Sequence, residues 1–352
     1  MRRFKQIRII ILLLLLSFVF LSSINVSVAE FYSINVYPGI SYILSLFSSL
    51  VSFSLDEWIV LLMILSVIAF PFVLRLKFCK KWKSVILGEL ELILWIYVWF
   101  YIGWGINYYR ESFFKRMEVK PAKYDEQVFT DFLYKYTDSV NKYYCEFDDI
   151  DKACIHNDIK SIYHRLKPVY GLSVPYSFQE PKKLSFNSLY SGCGVLGFMG
   201  PFFSESHINE DITPLEYPFT YAHELSHLLG ISSEAEANFW AYHVCTSSSD
   251  NKIKYSGYFG LFSYVLVNAS RLLSEEDYKR WIASVRPEVK IKFKNKREYW
   301  SSLYSPMLGE IQSAMYEIYL KGNRISSGQK NYAEVIGLLL SVPKDEDYFI
   351  SE

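Results

Sequence analysis

Tyr217-Pro218-Phe219-Thr220-Tyr221-Ala222-His223-Glu224-Leu225-Ser226-His227-Leu228-Leu229-Gly230 is the stretch on which the reading of this chain turns. Pro218 suits the first turn of a helix and Gly230 stands where a helix C-terminus favours glycine, so a helix is expected over about 218–229. His223 and His227 are four residues apart, so both imidazoles leave one face. That spacing lets two nitrogens reach a single Zn2+ at about 2.0–2.1 Å. Glu224 is turned about 100° around the helix, beside such an ion and not on it. There it can take a proton from water and hand it to a leaving amine.

A catalytic zinc needs a third protein ligand and an open position. Beyond Gly230, Ser232-Ser233 can cap a second helix that carries Glu234, Glu236, Asn238 and His243. Glu234 and Glu236 project about 200° apart, so a regular helix offers the metal only one of them. Glu234 shares its face with Asn238 and Cys245, whereas Glu236 shares its face with Trp240 and His243. A carboxylate followed one turn later by an amide suits a ligand and a partner that orients a ligand histidine. Glu234 is therefore the expected third ligand, Glu236 the alternative, and His243 or His207 the remaining candidates. The glutamate left over reads as a solvated or capping acid at a helix N-terminus.

Upstream, Leu184–Ser204 is rich in Gly, Ser and aromatic residues and suits short strands or loops. Within it, Gly194–Ser204, with Gly197, Phe198 and Met199, is the candidate edge for holding a substrate backbone. A glycine-rich loop packed under the site is the competing reading. His207, His243 and Tyr332 are candidates for stabilising an oxyanion.

The first 110 residues hold most of the apolar excess. Three stretches, at about 9–29, 57–74 and 85–106, are expected as transmembrane helices. Ser27-Val28-Ala29 also fits a signal-peptide cleavage site, although two further spans favour a retained anchor. Basic residues cluster at Arg2, Arg3, Lys5 and Arg8 and again at Arg75, Lys77, Lys80, Lys81 and Lys83. Both clusters belong on the cytoplasmic side, which puts everything after Tyr109 outside it. Glu89 and Glu91 read as acids of a solvated helix end, and Tyr37–Leu55 as a helix lying in the membrane interface.

Residues 111–352 are long enough for a domain of their own. Amphipathic spacing predicts helices at 125–144, 157–170, 218–229, 233–245, 258–273, 275–284, 308–321 and 333–340. The expected fold is mainly α with a small β element, N-terminal transmembrane helices preceding a zincin-like outer domain. Acidic and basic residues balance at 37 each, so no field points to nucleic acid. None of the five cysteines forms a CxxC pair, which argues against a cysteine-based zinc site. Cys145 and Cys154 can close a small loop in an oxidising compartment or remain free thiols.

The sequence His223-Glu224-x-x-His227, followed by Glu234-Ala235-Glu236-Ala237-Asn238, resembles the gluzincin metallopeptidases. That resemblance implies Glu234 as the zinc ligand, with Asn238 standing where the family has an aspartate that orients a histidine. The separation from His227 to Glu234 is much shorter than is usual in gluzincins. Gly230 resembles the tight turn of metzincins, but Ser233 stands at their third-ligand position. Over nearly its full length the chain also resembles a family of bacterial membrane proteins of unknown function. This likeness lies in the three spans, Gly197-Phe198, Pro201-Phe202, the histidine pair and Glu234–Asn238.

The expectation is a membrane-anchored zinc metallopeptidase, an endopeptidase or related amide hydrolase, acting outside the cytoplasm on protein or peptide. The alternative is a catalytically inactive zinc-binding membrane scaffold. An active site inside the bilayer is disfavoured, because no apolar run of 18 residues surrounds the histidine pair. Nothing in the sequence sets an oligomeric state.

Overall fold

Short polar residues ahead of apolar runs set where many of the helices begin. A computed structural model describes residues 2–147, 149–166, 168–343 and 349, with the side chains of residues 2 and 331–333 outside that description. α1 (Arg2–Ile24) gives way at Asn25, whose side chain accepts from the Val28 N–H and starts α2 (Val26–Phe31). A π-helical turn at Tyr32–Val36 leads into α3 (Tyr37–Ser48). Ser54 caps α4 (Leu55–Phe72), which contains Pro71 and widens into a π-helical turn at Val73–Lys77. α5 (Trp82–Gly103) passes into a 3-10 turn at Gly105–Tyr109.

α1 from Arg3, α4 with its π turn, and α5 are each long and apolar enough to cross a bilayer. The expected first span, 9–29, is displaced toward the N-terminus because Asn25 begins a new helix. The others start within three residues of expectation. Arg8 pairs with Glu91 at 2.7 Å, so Glu91 is ion-paired and not simply solvated. The pair puts the basic N-terminus at the same end of the bundle as the loop joining α4 to α5. The opposite ends, near Ile24, Leu55 and Gly103, meet the rest of the protein. On α3, Ser41, Ser45 and Ser48 turn inward while Ile43, Leu46 and Phe47 stay exposed. The helix thus presents an apolar outer face, with its serines packed against the protein.

The remaining helices are α6 (Phe113–Arg116), α7 (Glu126–Lys142), α8 (Lys152–Arg165), α9 (Asn187–Cys193), α10 (Tyr217–Leu228), α11 (Glu234–Ser247) and α12 (Asn251–Leu272). α13 (Glu275–Ser284), α14 (Pro287–Leu303), α15 (Pro306–Gly322) and α16 (Val335–Ser341) complete the set. Most of them share one hydrophobic core, to which α9 and α15 contribute no residue. α8 starts earlier than its expected 157 because the Asp151 side chain accepts from Cys154 N and caps it there. α14 was not expected from apolar spacing. Its lysine-rich sequence buries only Val289 among described residues, so its helicity rests on Pro287 in the first turn and on strong helix formers.

Between α9 and α10 lies an antiparallel hairpin of β1 (Gly197–Gly200) and β2 (Glu205–Ile208), in register Gly197↔Ile208 through Gly200↔Glu205. Lys182 bridges to His207 on the far side of β2, which leaves β1 as the edge. The small β element expected around Gly194–Ser204 is this hairpin's first half; α9 is the helical part that the glycine count concealed. All five cysteines are free thiols.

α10 is buried along its whole length and packs on α11, α12 and both strands. A helix end leaves carbonyls without intrahelical donors. Here the N-terminal region supplies them: Tyr37 Oη donates to Leu228 O at 2.8 Å, Trp104 Nε1 to His227 O at 3.0 Å, and Arg110 Nη1 to Gly230 O at 3.2 Å. The apolar N-terminal helices are thereby fastened to the end of the helix that carries the histidine pair.

Candidate metal centre

Three ligand-type atoms converge between α10 and α11. His223 Nε2 and His227 Nε2 are 3.1 Å apart, and Glu234 Oε2 lies 3.1 Å from the first and 3.3 Å from the second. Four ligands arranged tetrahedrally at zinc distances of about 2.0–2.1 Å stand roughly 3.3 Å from one another. The triangle therefore has the size of one face of a zinc tetrahedron.

The protonation pattern is set from behind. His223 Nδ1 faces the Asn238 side-chain oxygen at 2.9 Å, and His227 Nδ1 faces the Ile231 carbonyl at 2.7 Å. A carbonyl oxygen only accepts, so the Nδ1 atoms donate, and each ring, once Nε2 carries no proton, directs that lone pair into the triangle. Glu234 adds a carboxylate oxygen. A proton on an imidazole or a metal ion can satisfy the Glu234 carboxylate here, and the donor set of two imidazoles and a carboxylate suits zinc. Tyr316 Oη donates to Glu234 Oε1, which leaves Oε2 for the triangle. The Asn238 amide also bonds the Tyr264 hydroxyl, so the residue that orients His223 is itself held.

The local fold explains the convergence. Ser233 caps α11 by accepting from Glu236 N, so Glu234 occupies the first helical position with Asn238 one turn on. A positive φ of 99° at Gly230 turns the chain back sharply enough for seven residues to span His227 to Glu234. Glu236 points elsewhere, accepting from Arg116 Nη2 at 2.5 Å and from Trp240 Nε1 at 3.1 Å. It is a buried partner of an arginine, neither a ligand nor a solvated acid.

Electrostatics follow from burial. Burial pushes Glu224 up to about 7, aided by the charge of Glu234 and opposed by the two histidines. For His227, burial alone would lower the pKa, but Glu234 outweighs it and raises the ring to about 9. Glu234 is drawn well below the usual carboxylate range despite its burial, because both imidazoles face it.

Glu224 stands beside the triangle with its Oε2 lacking a partner among the described residues. It lies against β1: a Cβ on Gly197 would fall 2.8 Å from Glu224 Cγ and equally close to the His207 carbonyl, so only glycine fits there. A cavity of about 930 Å³ opens in front, lined by the motif side chains, Gly197–Met199, Tyr108, Tyr316 and Tyr319. Asn209 N donates to Leu196 O at 2.9 Å, which fixes the alternation of the ladder. Gly197 and Met199 therefore present their N–H and C=O groups at the open edge. Phe198 is held by its neighbours, its ring stacked on His207 and Tyr190.

Of the oxyanion candidates, His207 lies behind the hairpin, bonded through Nε2 to Ser54 Oγ at 2.8 Å. His243 packs against Phe239, Trp240 and Phe349 in the core. Neither lines the cavity. The Tyr332 side chain lies outside the described residues. Tyr316, Tyr264 and Trp104 had no signal in the sequence: tyrosine occurs 29 times, and Tyr316 is 82 positions from Glu234.

The chain belongs to the family described as "Protein of unknown function (DUF3810)", whose profile matches residues 32–340. No curated protein and no solved structure matches it.

Proposed function

We propose that this chain, from a family without an assigned activity, is a membrane-anchored zinc hydrolase that cleaves peptide or related amide bonds outside the cytoplasm. One observation carries the reading: three buried ligand-type atoms meet in a triangle of zinc dimensions, beside a Glu224 oxygen that has no partner among the described residues. His223, His227 and Glu234 would hold the ion, leaving its fourth position toward the cavity. When bound, zinc would polarise a carbonyl and make water more acidic.

The chain's own residues do the rest. Glu224 Oε2 takes a proton from the attacking water and returns it to the leaving amine. Burial excludes bulk water and raises the basicity of that carboxylate. Asn238 and Ile231 fix the two rings, and Tyr316 fixes the carboxylate that completes the triangle. The open edge at Gly197 and Met199 offers an extended peptide main-chain hydrogen bonds, as edge strands do in peptide recognition. The aromatic and apolar walls of the cavity favour side chains of the same kind.

The outward placement rests on charge. The basic N-terminus and the basic loop after α4 share one end of the helical bundle and the metal centre lies beyond the other. The positive-inside rule assigns the basic end to the cytoplasm.

The test is metal content and hydrolysis of a mixed-sequence peptide pool by the detergent-solubilised full chain. Glu224→Gln is expected to keep about one zinc per chain and to lose 10²–10⁴-fold in rate. Zinc retained, with no hydrolysis by the native chain or equal hydrolysis by both, would favour a non-catalytic zinc scaffold.

A further inference from the structure

One lip of the cavity is a helix whose outward face is apolar. On α15, Met307, Ile311, Met315 and Ile318 are 68%, 54%, 67% and 74% exposed. At 100° per residue they fall within a stripe about 80° wide. Leu308, Gln312 and Tyr319 flank it on the cavity side, while Glu310, Glu317 and Lys321 flank it on the other. A globular helix in water shows the reverse, with polar residues on its exposed face.

The ends of this lip are fixed relative to the apolar N-terminal helices. At its C-terminal end, Tyr319 Oη pairs with Tyr108 Oη at 3.0 Å and packs on Phe100. Asn323 accepts from Tyr101 Oη at 2.9 Å, and Arg324 reaches the Ser23 carbonyl. These contacts lie in the last turn of α5, just after it, and at the end of α1. At the other end α15 packs on α9, with Ser305 N donating to Gly192 O at 2.8 Å. The start of α9 is tied to α4, because Glu57 accepts from Ser185 N at 2.6 Å and from Phe186 N at 3.1 Å. α9 is seven residues long, so it lifts its end of α15 by no more than about 10 Å. Both ends of the lip therefore lie close to the level where the three apolar helices end. That is the depth at which a bilayer's interfacial layer meets water.

We propose that the exposed stripe of α15 rests in the interfacial layer of the lipid bilayer, so that the cavity opens along the membrane surface. The occupant is lipid, and continuity with the apolar bundle identifies it. Ile311 and Met315 both line the cavity and belong to the stripe, so the mouth and the contact surface share residues. The proposal rests on α1, α4 and α5 crossing a bilayer and is independent of zinc or hydrolysis. Under the hydrolase reading it makes membrane-attached polypeptide the first substrate class to try.

The test uses the full chain in phosphatidylcholine nanodiscs, with Cys79, Cys145, Cys154 and Cys193 replaced by serine and the buried Cys245 kept. Single cysteines at Glu310, Ile311, Met315, Ile318, Ile64 and Tyr134 carry a fluorophore, and some lipid acyl chains carry a nitroxide near the carbonyl. Ile64, exposed on α4, reports the bilayer interior, and Tyr134, exposed on α7, reports water. Quenching at Ile311, Met315 and Ile318 is expected within about twofold of that at Ile64. Quenching at Glu310 should be clearly weaker than at its neighbour Ile311, and Tyr134 should show none. Stripe labels quenched no more than Tyr134 would overturn the proposal. So would Met315→Cys chains that cross-link to one another while escaping quenching, since the stripe would then be covered by a second copy. Equal quenching at Glu310 and Ile311 would also overturn it, because no face would be selected.

Discussion

The edge strand β1 touches two buried clusters of acid and imidazole, and they are wired in opposite ways. Gly197 lies against Glu224 on the side of the metal centre, while Gly200 lies against Asp56 on the other. Around Asp56 the carboxylates are answered by N–H donors. Asp56 accepts from Phe202 N at 2.9 Å and Phe203 N at 3.1 Å; Glu205 accepts from Leu55 N at 3.2 Å and Asp56 N at 3.0 Å. His207 Nε2 bonds the Ser54 hydroxyl. Here the hairpin closes the N-terminus of α4 and the first turn of α4 closes the hairpin. At His223, His227 and Glu234 the facing atoms are two imidazole nitrogens and a carboxylate oxygen, all of metal-ligand type. Residue types alone do not separate a structural cluster from a metal site. What distinguishes them is how the carboxylates are answered: by backbone N–H groups at Asp56 and Glu205, by two imidazole nitrogens at Glu234.

The contrast breaks most visibly at the histidines. His227→Ala is expected to lower bound zinc from about one ion per chain to none. His207→Ala should leave the zinc in place. Elemental analysis of both purified variants decides this, and equal loss in the two would erase the distinction. A smaller effect is expected at the second cluster. Glu205→Gln puts an amide where two N–H donors need an acceptor, and should cost about 2 kcal/mol of stability. It would be read as a thermal midpoint lowered by a few degrees at unchanged zinc content. Zinc lost before the fold is weakened would show that the clusters are coupled. Asn238→Ala leaves the three ligands but frees the His223 ring. A chelator competition should show zinc affinity about 10- to 100-fold weaker, and the buried groups left without Asn238 should cost about 1–3 kcal/mol of stability. Undiminished affinity would mean that packing alone orients the ring.

Much of the site was legible because its parts are close in sequence. The i, i+4 spacing of the histidines, the cap at Ser233 and the angular separation of Glu234 from Glu236 are local helical geometry, and they let only one glutamate face the pair, with Glu234 expected and Glu236 the alternative. The orienting role of Asn238 follows from the same geometry, since it lies one turn beyond Glu234. Candidates for remote roles fared differently. His207 and His243 share their residue type with His223 and His227, but one serves the hairpin and the other the core. Tyr316 reaches Glu234 from α15, and no local pattern marks it. Apolar spacing located most helices, yet it passed over α14, which buries little, and α9, where glycine and serine suggested loops.

The sequence by itself determined three apolar helices, a motif helix ending at Gly230 and a second helix presenting Glu234 with Asn238, because each depends on periodicity and capping within a few turns. Only the tertiary structure decided that the ligand triangle has zinc dimensions and that Glu236 belongs to Arg116. It also decided that a tyrosine 82 positions away holds the Glu234 carboxylate. The placement of α15 is of the same kind: its apolar stripe is a local pattern, but its level beside the ends of α1, α4 and α5 is set by contacts between distant segments. Helical geometry acts over a few residues, whereas distances between elements depend on how the whole core packs.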